Sequence, residues 1–190
     1  MRQIIYAILV LGLGSANALG DRTPGASKAE VCFTCHQPQH RLAAMPLLEG
    51  QPAEYLYAQL KAYKEKRRPD PTMTMPPSAA NLSDTDMRDI SKYLANRTPP
   101  SVRYQVDSTK ARLGSSKAAA LGCGECHGIS HKASARAPRL AGQAFGYSMA
   151  QLQAFADGRR IHGVGSNAAP QVSLNATDIE DLANYYASLQ

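Results

Sequence analysis

Four cysteines occur in the 190-residue chain, and they fall in two clusters. One reads Cys32-Phe33-Thr34-Cys35-His36 and the other Cys123-Gly124-Glu125-Cys126-His127. Both are C-x-x-C-H, the spacing that attaches a c-type haem. Two thiols add across the two vinyl groups of one porphyrin, with a helical turn setting the sulfur separation. The histidine that follows is then placed to offer an imidazole nitrogen to the iron. The expected cofactors are two covalently bound haem c groups, held by Cys32 and Cys35 and by Cys123 and Cys126. His36 and His127 are the expected proximal ligands. A disulfide framework, a thioredoxin-like redox pair and a Cys/His zinc site draw on the same residue types. None of the three accounts for a histidine directly after each pair, in two copies.

The elements that must position these residues are also duplicated. The motifs lie 91 residues apart, and similar sequence follows each. Leu48-Glu49-Gly50-Gln51 is matched by Leu140-Ala141-Gly142-Gln143, and each leads to a Tyr-x-x-x-Gln-Leu segment, Tyr55 to Leu60 and Tyr147 to Leu152. Both continue into an arginine pair, Arg67-Arg68 and Arg159-Arg160. These arginines suit either haem propionates or solvated helix ends. Leu56, Leu60 and Tyr63 recur at helical steps over residues 53–66, with Pro52 suited to a first helical position. Ser83 with Asp86, and Asn175 with Asp178, place an oxygen acceptor at an N-cap and an acid three residues on. Helices are thus expected over 84–95 and 176–188, with another over 109–121 leading into the second motif. No strand pattern of useful length occurs. Each half is a small helical unit, near the lower limit for a self-sufficient core, and a central haem would fill it.

Arg2, the apolar run Ile4 to Leu13 and the small residues Ala16 and Ala18 form a signal-peptide pattern, too short for a comfortable membrane span. The expected organisation is a leader over 1–18, an N-terminal domain over 19–97, a linker over 98–106 around Pro99-Pro100, and a C-terminal domain over 107–190. The expected location is the periplasm. A net charge of +6 fits docking to an acidic protein patch or peripheral contact with an anionic membrane. No Lys/Arg run suggests nucleic acid. Lys64 to Arg68 is the densest basic stretch and reads as a solvated helix end.

The ordered set resembles the cytochrome c4 family of dihaem cytochromes over nearly the whole mature chain. It comprises the duplicated C-x-x-C-H, the segments Pro138 to Gln143 and Pro46 to Gln51, the two Tyr-x-x-x-Gln-Leu helices, and Leu82-Ser83-Asp84-Thr85-Asp86. The resemblance implies an all-α protein of two tandem class I cytochrome c domains, each around one haem. It implies electron transfer between redox partners such as a dehydrogenase, a cytochrome complex or a terminal oxidase. It also implies a methionine on the distal face of each haem, seven residues before the Leu of the last-helix signal. That residue is Met75 in the first half, with Met73 as the spare.

The second half departs from this pattern. Gln51 to Leu82 and Gln143 to Leu174 both span 31 residues, so Met75 aligns without a gap to Asn167. His162 lies five residues earlier, beside Gly163 and Gly165. Three readings stay open: His162 as the ligand, Asn167 as a weak ligand, or an open site. An open site would suit a haem enzyme or small-ligand binder, and a haem subunit of a dehydrogenase is a further alternative. His40 and His131 each follow a proximal histidine by four residues, and are placed near a haem edge or in solvent.

Overall fold

The computed structural model describes residues 23–38, 45–135, 137–164, 167–168 and 172–190. The leader pattern, His40 and Gly165 lie outside these residues, and so does the side chain of Asn167. The described chain is helical apart from one two-residue strand pair. Helices α1 (Pro24–Ala29), α2 (Ala53–Lys64), α3 (Met75–Ala80) and α4 (Asp84–Ala95) make the first half. Helices α5 (Ser108–Ala120), α6 (Cys123–His127), α7 (Phe145–Ala156) and α8 (Ala176–Ser188) make the second. Strands β1 (Gly163–Val164) and β2 (Asn167–Ala168) pair antiparallel, Gly163 opposite Ala168 and Val164 opposite Asn167. Residues 98–107 carry neither helix nor strand. No helix among the described residues is long and apolar enough to cross a membrane.

Local sequence dictates where the long helices start. Ser83 and Asp86 form a reciprocal capping box at α4, and Asn175 and Asp178 form another at α8. Each box satisfies backbone N–H groups that the first helical turn leaves without partners. Behind the caps, Met87, Ile90 and Leu94 line the buried face of α4, and Ile179, Leu182 and Tyr186 that of α8. Pro52 stands one residue outside α2 as its N-cap, because its ψ of 134° is extended rather than helical.

In each half the first helix packs on the last, α1 on α4 and α5 on α8. Glycine permits both approaches. A Cβ on Gly25 would lie 2.3 Å from the Asp89 carbonyl oxygen, and one on Gly114 would lie 2.0 Å from that of Asp181. The cores beside these crossings are small. Ala29, Leu56, Ile90 and Leu94 form one, and Ala118, Leu182 and Tyr186 the other. Units this size need apolar volume beyond their own side chains.

Candidate functional site

Each cysteine cluster lies on a tight helical turn that runs directly off, or just after, the first helix of its half. Glu30–Thr34 is a 3-10 turn continuing α1, and the amides of Cys35 and His36 both donate to the Cys32 carbonyl, at 3.2 and 3.0 Å. The second cluster is α6 itself, entered through Gly122 at φ 66°. That left-handed residue turns the chain between α5 and α6 at little cost because glycine has no Cβ. None of the four cysteines is joined in a disulfide. Burial raises the pKa of Cys32 and Cys123.

His36 and His127 are both buried. His36 Nδ1 lies 2.9 Å from the Pro46 carbonyl oxygen, and His127 Nδ1 lies 2.8 Å from that of Pro138. A carbonyl can only accept, so Nδ1 carries the hydrogen in each ring and Nε2 keeps its lone pair for a metal. Burial lowers both imidazole pKa values, which keeps the rings neutral. The donor set therefore fits haem c at both sites: two unbridged cysteines on one turn, then a buried imidazole with its tautomer fixed.

The two candidate methionines are separated by exposure. Met75 is half-buried at the start of α3, while Met73 is 70% exposed at a positive φ of 54°. Asp70 shapes this loop. Its carboxylate accepts from Thr72 N at 3.0 Å, Thr74 N at 2.9 Å and Met75 N at 2.7 Å. Pro76 and Pro77 fit the first turn of α3, where a missing N–H costs nothing. Sequence analysis assigns no helix to this segment. In the second half, His162 lies with its ring 6.2 Å from that of His127, the planes inclined by 12°. Phe155 of α7 lies 4.9 Å from the same ring.

His131 is buried rather than solvated. It packs on Tyr185 and Tyr186, and neither ring nitrogen has a hydrogen-bond partner.

The halves meet through a set of contacts related by a pseudo-twofold axis. The Gln51 side chain donates to the Arg139 carbonyl and accepts from the Arg139 amide, both at 2.9 Å. Its counterpart Gln143 accepts from Leu47 N at 2.8 Å and donates to Leu47 O at 3.1 Å. Arg68 reaches Gln59 at 2.7 Å, Tyr147 at 3.0 Å and Gln151 at 3.1 Å. Arg160 reaches Gln151, Gln59 at 3.2 Å and Tyr55 at 3.4 Å. The two members of each arginine pair thus differ. Arg67 and Arg159 are solvated and salt-bridged to Glu65 and Asp157. Arg68 is 8% exposed, its Nε has no hydrogen-bond partner, and it is no solvated helix end. Sequence reading missed this network, although its residues recur at a constant 92-residue offset.

Fold and site together define an all-helical protein that holds two haems in two like domains and passes single electrons. Residues 24–98 and 112–190 each match the model of the Cytochrome c family. Cytochrome c4 of Pseudomonas aeruginosa is 30% identical, with 99% of this chain and 98% of that one aligned. The solved cytochrome c4 of Acidithiobacillus ferrooxidans superposes with a TM-score of 0.70 at 28% identity, over 85% of this chain and 99% of that one. A thiosulfate dehydrogenase structure from Marichromatium purpuratum superposes with a TM-score of 0.69 at 29% identity, over 84% of this chain and 36% of that one. The chain belongs to the cytochrome c family, as a dihaem electron-transfer cytochrome of the c4 kind carrying two covalently bound haem c groups.

Proposed function

We propose that this cytochrome relays electrons in the periplasm from a dehydrogenase to a later acceptor, such as a cytochrome complex or a terminal oxidase. The observation that carries this reading is the duplicated site: C-x-x-C-H, then a buried imidazole bonded to a proline carbonyl, repeated across a pseudo-twofold interface. Cys32 and Cys35 hold the first haem and Cys123 and Cys126 the second. His36 and His127 are the proximal ligands. Met75 is the distal ligand of the first haem, supported by its half-buried place at the head of α3. Haem iron supplies a one-electron couple, and a thioether ligand raises its potential.

The polypeptide supplies orientation and electrostatics. Pro46 and Pro138 fix the histidine tautomers. Arg68 and Arg160 bring two guanidinium charges to the seam, and no ion pair to either is found among the described residues. Haem propionates match that charge. The partner class draws on the likeness to part of a thiosulfate dehydrogenase structure. A net charge of +6 favours an acidic docking face on the partner and an encounter that weakens with salt.

The test uses protein from a host competent in haem c attachment. The pyridine haemochrome should give two haems per chain, and a redox titration two one-electron steps. Thiosulfate with a thiosulfate dehydrogenase should reduce the cytochrome, more slowly as salt rises. Loss of that reduction at all salt concentrations would remove this dehydrogenase as donor, and steady peroxide turnover would replace the carrier reading with an enzyme.

A further inference from the structure

We infer that His162 is the distal ligand of the second haem, so that this haem is held by two imidazoles while the first is held by His36 and Met75. The inference deepens the electron-transfer reading and rests on it.

The first support is positional. The ungapped match of the halves sets Met75 against Asn167 and Asp70 against His162. In the first half Asp70 organises the loop that presents Met75, taking amide hydrogens from Thr72, Thr74 and Met75 itself. In the second half both residues have changed. The methionine is gone, and an imidazole stands where the organising carboxylate was. The backbone has changed with them: where α3 begins in the first half, the aligned residues Asn167 and Ala168 form strand β2. The antiparallel pair β1–β2 begins at Gly163, directly after His162. Gly163 adopts φ 118°, a conformation open to glycine and strained for other residues. A short strand pair thus follows His162 directly, where the first half uses carboxylate bonds and a helix.

The second support is the ring geometry. The His127 and His162 centroids are 6.2 Å apart and their planes are inclined by 12°. A metal–imidazole nitrogen bond is about 2.0–2.1 Å, and a ring nitrogen lies about 1.1 Å from its centroid, so two imidazoles on opposite sides of one metal place their centroids roughly 6.2–6.4 Å apart. The observed spacing falls at the short end of that range. His127 Nδ1 is engaged by Pro138, which leaves Nε2 as its metal-binding nitrogen. Phe155 flanks the His162 ring at 4.9 Å, and the Arg160 guanidinium covers Phe155 at 4.7 Å. The ring is therefore braced rather than loose on its loop.

Two consequences follow. A bis-imidazole haem lacks the thioether that raises potential, so the second haem is the lower-potential site and an electron comes to rest on the first. Both faces of the second iron are filled, so carbon monoxide finds no open position on either haem.

The test compares holoprotein with the His162→Ala, His162→Met and Met75→Ala variants, each first counted for haem. In wild type, both ferric haems should be low-spin, only one should show a sulfur-to-iron near-infrared band, and the reduced protein should bind no carbon monoxide. His162→Ala should bind one equivalent of carbon monoxide per chain and gain a high-spin signal from one haem. His162→Met should raise the lower of the two midpoints and add a second sulfur band. Met75→Ala should open the first haem and leave the bis-imidazole signal unchanged. A carbon monoxide equivalent bound by wild type overturns the assignment. So does a His162→Ala spectrum identical to wild type in protein carrying two haems. A haem count below two in wild type would instead overturn the dihaem reading itself. If His162→Ala does not accumulate, His162→Met and the wild-type spectra decide alone.

Discussion

Gln143 is the residue whose removal should most directly loosen the two halves. Its buried side-chain amide accepts from the amides of Leu47, at 2.8 Å, and Ala144, at 2.9 Å, and donates to the Leu47 carbonyl at 3.1 Å. Gln143→Ala leaves three backbone groups without these partners, two of them in the other half of the chain. A net intramolecular hydrogen bond is worth about 0.5–1.5 kcal/mol and a buried orphaned group costs about 1–3 kcal/mol, so with some water entry the loss is about 2–4 kcal/mol. For a chain this size that is a fall in midpoint of roughly 5–15 °C. Gln51 is as deeply buried, but its side chain makes only the two bonds to Arg139. Gln51→Ala should therefore cost about 1–2 kcal/mol, again from the hydrogen-bond count.

The assay is thermal unfolding of holoprotein followed by far-UV circular dichroism. Wild type should unfold in one transition, and Gln143→Ala should unfold earlier than Gln51→Ala. An unchanged Gln143→Ala midpoint, or a larger loss from Gln51→Ala, would refute the claim that reciprocal amide bonds join the halves. Two separate wild-type transitions would refute the coupling itself.

Other predictions follow from single features of the structure. Gly114→Ala places a methyl 2.0 Å from the Asp181 carbonyl oxygen, so α5 must move off α8. The expected cost is about 1–3 kcal/mol or more, read as an earlier denaturant midpoint. The Asp86 carboxyl is held below its usual range, chiefly by its hydrogen bond from Lys28, and Asp178 by its hydrogen bond from Lys117. A depressed carboxyl contributes stability that is present above its unfolded pKa and is lost as pH falls through the folded one. Stability should therefore fall as pH drops below about 4, and the Asp86→Asn/Asp178→Asn protein should show a shallower fall over that range. Met73→Ala should leave the haem spectrum unchanged, whereas Met75→Ala should abolish the sulfur-to-iron band of the first haem.

Local signals made much of this fold legible. The capping residues Ser83, Asp86, Asn175 and Asp178 are consecutive-range features, and α4 and α8 span the residues those caps imply. The C-x-x-C-H turns are equally local. Helix α1 is six residues long and shows no period to detect. Helix α3 is six residues long and carries Pro76-Pro77 in its first turn, so it too offers no apolar period, although a first turn tolerates proline. The seam was illegible for a different reason. Arg68 and Tyr147 are 79 residues apart, and Arg160 and Tyr55 are 105 apart. Neither bond follows from propensity or spacing inside one half. Only a symmetric docking of the repeats brings them together, and that docking depends on three-dimensional shape.

The pattern of symmetry carries a functional argument. The hydrogen bonds found across the seam among the described residues obey the pseudo-twofold: Gln51 with Gln143, Arg68 with Arg160, Tyr55 with Tyr147, Gln59 with Gln151. What breaks it is the segment ahead of the last helix, where Asp70 and Met75 become His162 and Asn167. A symmetric seam fixes the relation of two sites without favouring either. A difference in potential must then come from ligands and surroundings within each half, and axial-ligand identity is a strong lever. If, as inferred above, an imidazole replaces a thioether on one side only, the two sites stay in fixed register while one becomes the electron's entry and the other its resting place. Exchanging the two loops, residues 70–75 for 162–167, should then reverse the order of the midpoints and leave the Gln51 and Gln143 contacts intact. A pair of midpoints that keeps its original assignment after the exchange would place the control of potential in the seam instead.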